Sequence, residues 1–311
     1  MSKKILITGA SGFVGGRIAK SLRDSYDVIT PTHGELDITS EDSVEEYMDG
    51  AGPDVILHLA AISDTGYCEM HPDESYLVNV TGVGNLARSA ARLGAKMVFF
   101  SSDQVYNGNL ELGPLSEDVA VSPENHYGRH KLLAEQRALA VSESVVALRA
   151  TWMYDIQRPG MHTHNNFVVS LKRALADGAS LHYATRECRG ITWVEEVVKN
   201  IPYTFDLPGG VYNFGAENTL NTYETALEYA RMLCDAHASE VTGGHENHRV
   251  PLNPAEVVKA DEARFPEHIR NISMSLKKIT DASQGKIRFL TTLEGLAEFE
   301  KNLQALLLSV L

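Results

Sequence analysis

The chain has 311 residues, with 28 Lys and Arg against 41 Asp and Glu, a formal net charge of −13, an apolar fraction of 43% and 3 cysteines. This length and apolar content allow a sizeable core in one or two domains and exclude intrinsic disorder. The acidic balance argues against a general nucleic-acid binder, which needs a basic face. Cys68, Cys188 and Cys234 lie far apart with no C-x-x-C pair, so neither a disulfide framework nor a structural zinc site is expected. The apolar runs at both ends are too short for a signal-peptide core or for the ~20 residues that span a bilayer, so a cytoplasmic protein without a membrane partner is expected.

In chain order, Lys4 to Thr8 reads as a buried strand, and Phe13 to Arg23 carries apolar residues at helical spacing. Tyr26 to Ile29 is a second strand. Ser40 has the composition of an N-cap for a helix to about Met48. Asp54 to His58 is a third strand, and Glu74 to Leu93 a long helix ended by Gly94. Lys96 to Ser101 is a fourth strand, Tyr127 to Val141 a helix, and Ser144 to Arg149 a fifth strand. Strands apolar on both faces and separated by helices imply a doubly wound α/β parallel sheet. Beyond residue 150 the rhythm loosens. Helices are expected over Asn166 to Asp177, Thr192 to Phe205, Thr222 to Cys234 and Thr292 to Leu307, with a strand at Gly210 to Phe214 and an exposed loop over Ala238 to Val250. The division expected is a first domain over 1–155 and a smaller α/β lobe over 156–311, interleaved with strands that return to the first.

The first strand runs into Thr8-Gly9-Ala-Ser-Gly12-Phe-Val-Gly15, which opens a helix. Gly9 permits a tight turn, Gly12 lets a pyrophosphate approach the backbone, and Gly15 lets helix and strand pack closely. The helix N-terminus supplies free N–H groups for phosphates. The second strand ends Val28-Ile29-Thr30-Pro31-Thr32-His33, with neither the acid that would bind ribose hydroxyls nor an arginine for a 2′-phosphate, so NAD and NADP both stay open. Asp37, in Leu36-Asp-Ile38, lies where a loop reaches toward an adenine.

Tyr127 and Lys131 are four residues apart on one helix face. An ammonium beside a phenol favours the phenolate, so Lys131 is expected to lower the pKa of Tyr127 toward usable acid–base chemistry. Ser102 falls at the end of the fourth strand, the edge where open α/β sheets bind ligands. It can donate to a carbonyl oxygen that Tyr127 protonates as hydride arrives from a nicotinamide.

Together, the glycine loop, Ala60-Ala61, Asn79, Ser102 and Tyr127-x-x-x-Lys131 resemble the extended short-chain dehydrogenase/reductases. Phe100-Ser-Ser-Asp-Gln-Val-Tyr-Asn-Gly108, Pro123-Glu-Asn-His-Tyr-Gly-Arg-His-Lys131, Leu148-Arg-Ala-Thr-Trp-Met-Tyr154 and Asn166-Phe167 are similar to segments of the dTDP-4-dehydrorhamnose reductase branch. The resemblance implies a Rossmann-like NAD(P) domain and a C-terminal substrate lobe. It implies an NAD(P)H-dependent reductase of a nucleotide-linked 4-keto-6-deoxy sugar, with Ser102, Tyr127 and Lys131 catalytic. By matched position, Thr8, Gly9, Ser11, Gly12, Phe13, Val14, Gly15, Asp37, Ile38, Leu59, Ala60, Ala61, Asn79 and Ser101 join Tyr127 and Lys131 around the cofactor. Ser63, Asp103, Gln104, Trp152, Asn166 and Arg189 fall near the substrate. The chain departs from the branch at Gln104, which replaces a tyrosine, and at Arg186-Glu-Cys-Arg-Gly-Ile-Thr192, which stands for D-Q-x-G-x-P-T. The alternatives are an epimerase or dehydratase of the same superfamily, or a cofactor-binding regulatory subunit. His162-Thr-His164 reads as loop histidines, with no metal expected, and His245 and His248 as solvated residues. The Leu296, Phe299, Leu303, Leu306 and Val310 stripe reads as a docking or homodimer face.

Overall fold

The first strand, β1 (Lys4–Thr8), places Ile5 and Ile7 on one face of a sheet and Leu6 on the other, all fully buried. This period of two with apolar residues on both sides requires helices above and below. The computed structural model describes residues 2–158, 160–241 and 253–310. After β1 come α1 (Phe13–Leu22), β2 (Asp27–Ile29), α2 (Glu41–Ala51), β3 (Val55–His58), α3 (Thr65–Met70), α4 (Pro72–Tyr76), a π-helical turn (Leu77–Thr81), α5 (Gly82–Leu93) and β4 (Lys96–Ser102). A 3₁₀ turn (Asp103–Tyr106) leads to α6 (His126–Val141), β5 (Val146–Ala150), β6 (Trp152–Tyr154), α7 (Phe167–Asp177), β7 (Leu181–Ala184), β8 (Glu187–Cys188), β9 (Ile191–Trp193), α8 (Val194–Thr204) and β10 (Gly210–Phe214). The remainder comprises α9 (Thr222–Val241), α10 (Pro254–Val257), β11 (Val258–Asp261), β12 (Arg270–Asn271), α11 (Lys277–Ala282) and α12 (Thr292–Val310).

Six parallel strands in the order β10-β5-β4-β3-β1-β2 form the main sheet, a Rossmann-like doubly wound arrangement. Helices α1 and α8 cover one face, where Ile5, Ile7, Leu57, Val98 and Leu148 meet Ile18, Leu22, Val194, Val197 and Ile201. Helices α2, α5 and α6 cover the other, where Leu6, Ile56, Met97, Phe99 and Ala147 meet Met48, Leu86, Ala90, Ala134 and Ala138. The sheet's order reverses at β1, so its ligand crevice opens beyond the C-terminal ends of β1 and β3. A separate core gathers Tyr154, Phe167, Leu171, Trp193, Tyr229, Leu296 and Phe299. The small parallel pairs β6·β9, β7·β11 and β8·β12 tie later segments of the chain together.

Several expectations change. The long helix before Gly94 is interrupted by the π turn, and α3 precedes it. Ile191–Trp193 is a strand rather than the start of a helix. Helix α9 runs to Val241, so residues 238–241 are helical; the rest of the expected loop, with His245 and His248, lies outside the described residues. The α12 stripe faces inward: Leu296 and Phe299 are core residues and Leu303 packs against them, because the second core needs a lid. It is not a free docking face over these residues, and the side chains of Leu306 and Val310 lie outside those described. Among the described residues no helix is long and apolar enough to cross a membrane.

Candidate active site

The glycine loop is shaped by contacts that only glycine permits. Gly9 has φ +71°, and a Cβ there would meet Ala60 N at 2.7 Å. A Cβ on Gly15 would lie 2.2 Å from Gly9 O, so α1 sits directly on the loop. Gly12 is the N-cap of α1 and no side chain caps the helix, which leaves its first N–H groups free for an anion. Ser11 is exposed, Val14 is half-buried, and Phe13 is buried beneath the Arg17 guanidinium at 4.5 Å. Thr8 is committed to the scaffold. Its Oγ1 lies 2.7 Å from His58 Nδ1 and accepts from Leu59 N and Ala60 N, both at 3.3 Å. These bonds hold the end of β3 against β1, with Leu59, Ala60 and Ala61 half-exposed at the crevice.

Asn79 stands on the π turn, a helix defect that is frequent at functional sites. Its amide accepts from Ile62 N at 3.0 Å and donates to Ile62 O at 2.8 Å. It is 1% exposed and acts by clamping the segment that follows Ala60 and Ala61. Asp37 accepts from Thr39 N and Oγ1, which hold its carboxyl below the ordinary range. Ile38 is buried, and Gly82 leaves room for it, since a Cβ there would meet Ile38 Cδ1 at 2.8 Å.

Ser102, Tyr127 and Lys131 converge at the end of β4. Tyr127 lies beside Ser102, close enough for that hydroxyl to favour its phenolate. Lys131 Nζ lies 5.7 Å from the Tyr127 ring centre and donates to Phe100 O at 2.8 Å. The expected lowering of the Tyr127 pKa is overturned. Burial pushes it up, Asp103 and Cys68 add to the rise, and the Ser102 hydroxyl opposes it. Burial also brings Lys131 down to about 8, against the pull of Cys68 and Glu135. Desolvation is the largest influence on both groups. Tyr127 is thereby kept protonated, the state a proton donor requires.

Behind this trio lies a buried network that sequence reasoning missed. Arg149 donates to Glu135 through Nε at 3.0 Å and Nη2 at 2.8 Å, Ser101 donates to Glu135 Oε1 at 2.5 Å, and Arg149 Nη1 donates to Tyr106 Oη at 2.9 Å. Ser101 is therefore a support for α6 and not an open donor. Glu135 continues the Tyr127–Lys131 stripe at the next helical step, which is the signal that could have found it.

On the far side, the 3₁₀ turn meets the second core region. Asp103 Oδ2 accepts from Arg189 Nη2 at 2.8 Å, and Gln104 Oε1 accepts from Arg270 Nη2 at 2.8 Å and Asn125 Nδ2 at 3.1 Å. Arg270 also pairs with Glu187, and the Arg189 guanidinium lies 5.3 Å over the Trp152 ring. Trp152, Arg189, Phe167, Ile191, Thr222 and Thr225 line a cavity of about 10 Å³. Asp103, Gln104, Trp152 and Arg189 are thus brought together, with Arg270 and Glu187 added. Ser63 is exposed on the loop after β3. Asn166 is placed otherwise than expected. It is 1% exposed, caps α7 by accepting from Val169 N, and donates to Asp155 O at 2.8 Å, so it shapes a loop instead of facing open volume.

A doubly wound sheet with an uncapped glycine-loop helix and a Ser–Tyr–Lys trio at a strand end defines an extended short-chain dehydrogenase/reductase type of nucleotide-binding protein. The chain belongs to the RmlD substrate binding domain family, whose model matches residues 3–288. A dTDP-4-dehydrorhamnose reductase of Aggregatibacter actinomycetemcomitans is 29% identical over 288 residues, covering 90% of this chain and 92% of that protein. The spore coat polysaccharide biosynthesis protein SpsK of Bacillus subtilis is 27% identical over 224 residues, covering 72% and 77%. The crystal structure of a dTDP-4-dehydrorhamnose reductase from Bacillus anthracis in complex with NADP superposes with a TM-score of 0.79 at 22% identity, covering 97% of this chain and 99% of that one.

Proposed function

We propose that this protein is an NAD(P)H-dependent reductase of a nucleotide-linked 4-keto-6-deoxy sugar. The observation that carries the reading is the convergence of Ser102, Tyr127 and Lys131 beside the crevice that the glycine loop opens. Relatives named dTDP-4-dehydrorhamnose reductase and the NADP complex of a structural neighbour support it. The residues fit a dinucleotide: Gly9, Gly12 and Gly15 clear the backbone, the α1 N–H groups receive the pyrophosphate, and Ala60 and Ala61 leave room beside the cofactor. Either NAD or NADP is compatible with the segment after β2.

When bound, a reduced nicotinamide supplies the hydride. Ser102 donates a hydrogen bond to the substrate carbonyl oxygen, and Tyr127 Oη delivers the proton as charge develops there. Lys131 stabilises the phenolate left behind. Gln104 and Trp152, at the edge of the cofactor domain over 1–155, position the sugar against a substrate lobe over 156–311, while Asp103 and Arg189 brace the turn beside Ser102. The reading includes a cytoplasmic setting and no nucleic-acid partner. The acidic charge supports the last of these and the separated cysteines the first.

The test is turnover of NADH or NADPH with such a sugar. Tyr127→Phe is expected to lower kcat by roughly 10²–10⁴-fold, the usual weight of a positioned general acid, with cofactor affinity retained in a fluorescence titration. Unchanged turnover in that variant sinks the mechanism.

A further inference from the structure

We propose that Arg189 is a positioning residue: by holding the outer oxygen of Asp103, it keeps the Ser102 hydroxyl proton available to the substrate carbonyl oxygen. The inference rests on the reductase reading above.

Ser102 Oγ carries one proton, and an acceptor already competes for it: Asp103 Oδ1 lies 3.2 Å away. A hydroxyl donating to an unopposed carboxylate closes to about 2.5–2.7 Å. The separation here is longer, and Asp103 is held from its other side: Arg189 Nη2 binds Oδ2 at 2.8 Å, and both side chains are largely buried, 15% and 2% exposed. Arg189 is itself fixed over the Trp152 ring. The turn is braced a second time, since Gln104 N donates to Ser102 Oγ at 3.2 Å while Arg270 holds the Gln104 side chain. Two arginines from sequence positions 86 and 166 residues downstream of their partners therefore set the orientation of the hydroxyl next to the catalytic tyrosine. Without Arg189, the buried Asp103 carboxylate would lack its closest cation and would capture the Ser102 proton. The carbonyl oxygen would then lose one of its two donors.

The experiment compares wild type, R189M, R189K and the double variant R189M/D103N, each first shown to melt cooperatively. In R189M, kcat is expected to fall roughly a hundredfold, as for the loss of one oxyanion donor, with cofactor affinity unchanged. R189M/D103N, which removes the competing charge, is expected to recover most of that loss, and R189K, which keeps a cation, to lose little. A change confined to KM, or a double variant no better than R189M, overturns the proposal. Crystal structures give a readout that does not need turnover: in R189M the Ser102 Oγ to Asp103 Oδ1 separation should shorten to about 2.6 Å. A separation unchanged from wild type overturns the proposal. Failure of wild type to reduce any keto sugar counts against the reductase reading instead, while the structures still decide how Arg189 acts on Ser102.

Discussion

His58 is fully buried at the end of β3, where burial, with the Lys131 charge adding, brings its pKa down to about 3. In the unfolded chain a histidine titrates near 6.5. Between those two values the unfolded state holds the extra proton, so stability rises with pH across that window and is lost as pH falls through it. The slope is about 1.4 kcal/mol per pH unit per proton. Denaturation midpoints followed from pH 6.5 to 5, above most carboxylate titrations, should therefore fall with acidification. His58→Asn, which keeps a polar partner for Thr8, should flatten the curve; an identical slope in both proteins would refute the assignment. The same balance explains why sequence reasoning misjudged Tyr127. Spacing places an ammonium near a phenol, but it carries no measure of burial, and burial decides the direction for Tyr127, Lys131 and His58 alike.

At the scale of single elements, the fit of α1 onto the loop after β1 gives a second test. Gly15→Ala drives a methyl into Gly9 O, a backbone atom at 2.2 Å, whereas Gly12→Ala meets the same oxygen at 3.2 Å. Overpacking of this kind costs typically ~1–3 kcal/mol. Gly15→Ala should lower the denaturation midpoint more than Gly12→Ala does. Equal effects in the two variants would show that α1 does not rest on Gly9. The glycine loop was legible because its residues answer to local rules, as were β1, β3, β4 and β10, which are short apolar runs bounded by turns. The π turn was not legible, because an i→i+5 pattern has the same composition as the helix around it, yet it carries Asn79. Nor were β6, β8, β9 and β12, which span two or three residues and have no periodicity to read. Two of those strands, β8 and β12, carry Glu187 and Arg270 to the turn beside Trp152 and Arg189, so the two residues of the site that went unread follow from unread elements.

Across the whole molecule, Arg17 is the rivet between the glycine-loop helix and the segment leading to α7. Its Nε binds Asp155 Oδ2 at 2.8 Å, and it also donates to Phe13 O, Ile156 O and His162 O. Both members of the pair are buried, 5% and 1% exposed. Breaking a buried pair costs about 3–5 kcal/mol. Arg17→Met should sit near the lower figure, because Arg158 also binds Asp155 at 3.1 Å. Chemical denaturation measures it, and a variant as stable as wild type would show that the contact is dispensable. No spacing rule links positions 138 apart, so this seam was invisible in the sequence. The sheet crosses the same seam, since β10 hydrogen-bonds to β5 after an excursion that contains β6 to α8. That order has a kinetic consequence during synthesis. Until Phe214 emerges, β5 presents a bare, fully buried-type edge, Val146 to Ala150, to whatever surrounds the ribosome. At roughly 5–20 residues per second, the edge stays open for several seconds. Prompt completion of the central sheet thus depends on translation through the second half of the chain, and pausing there should raise aggregation of the nascent protein.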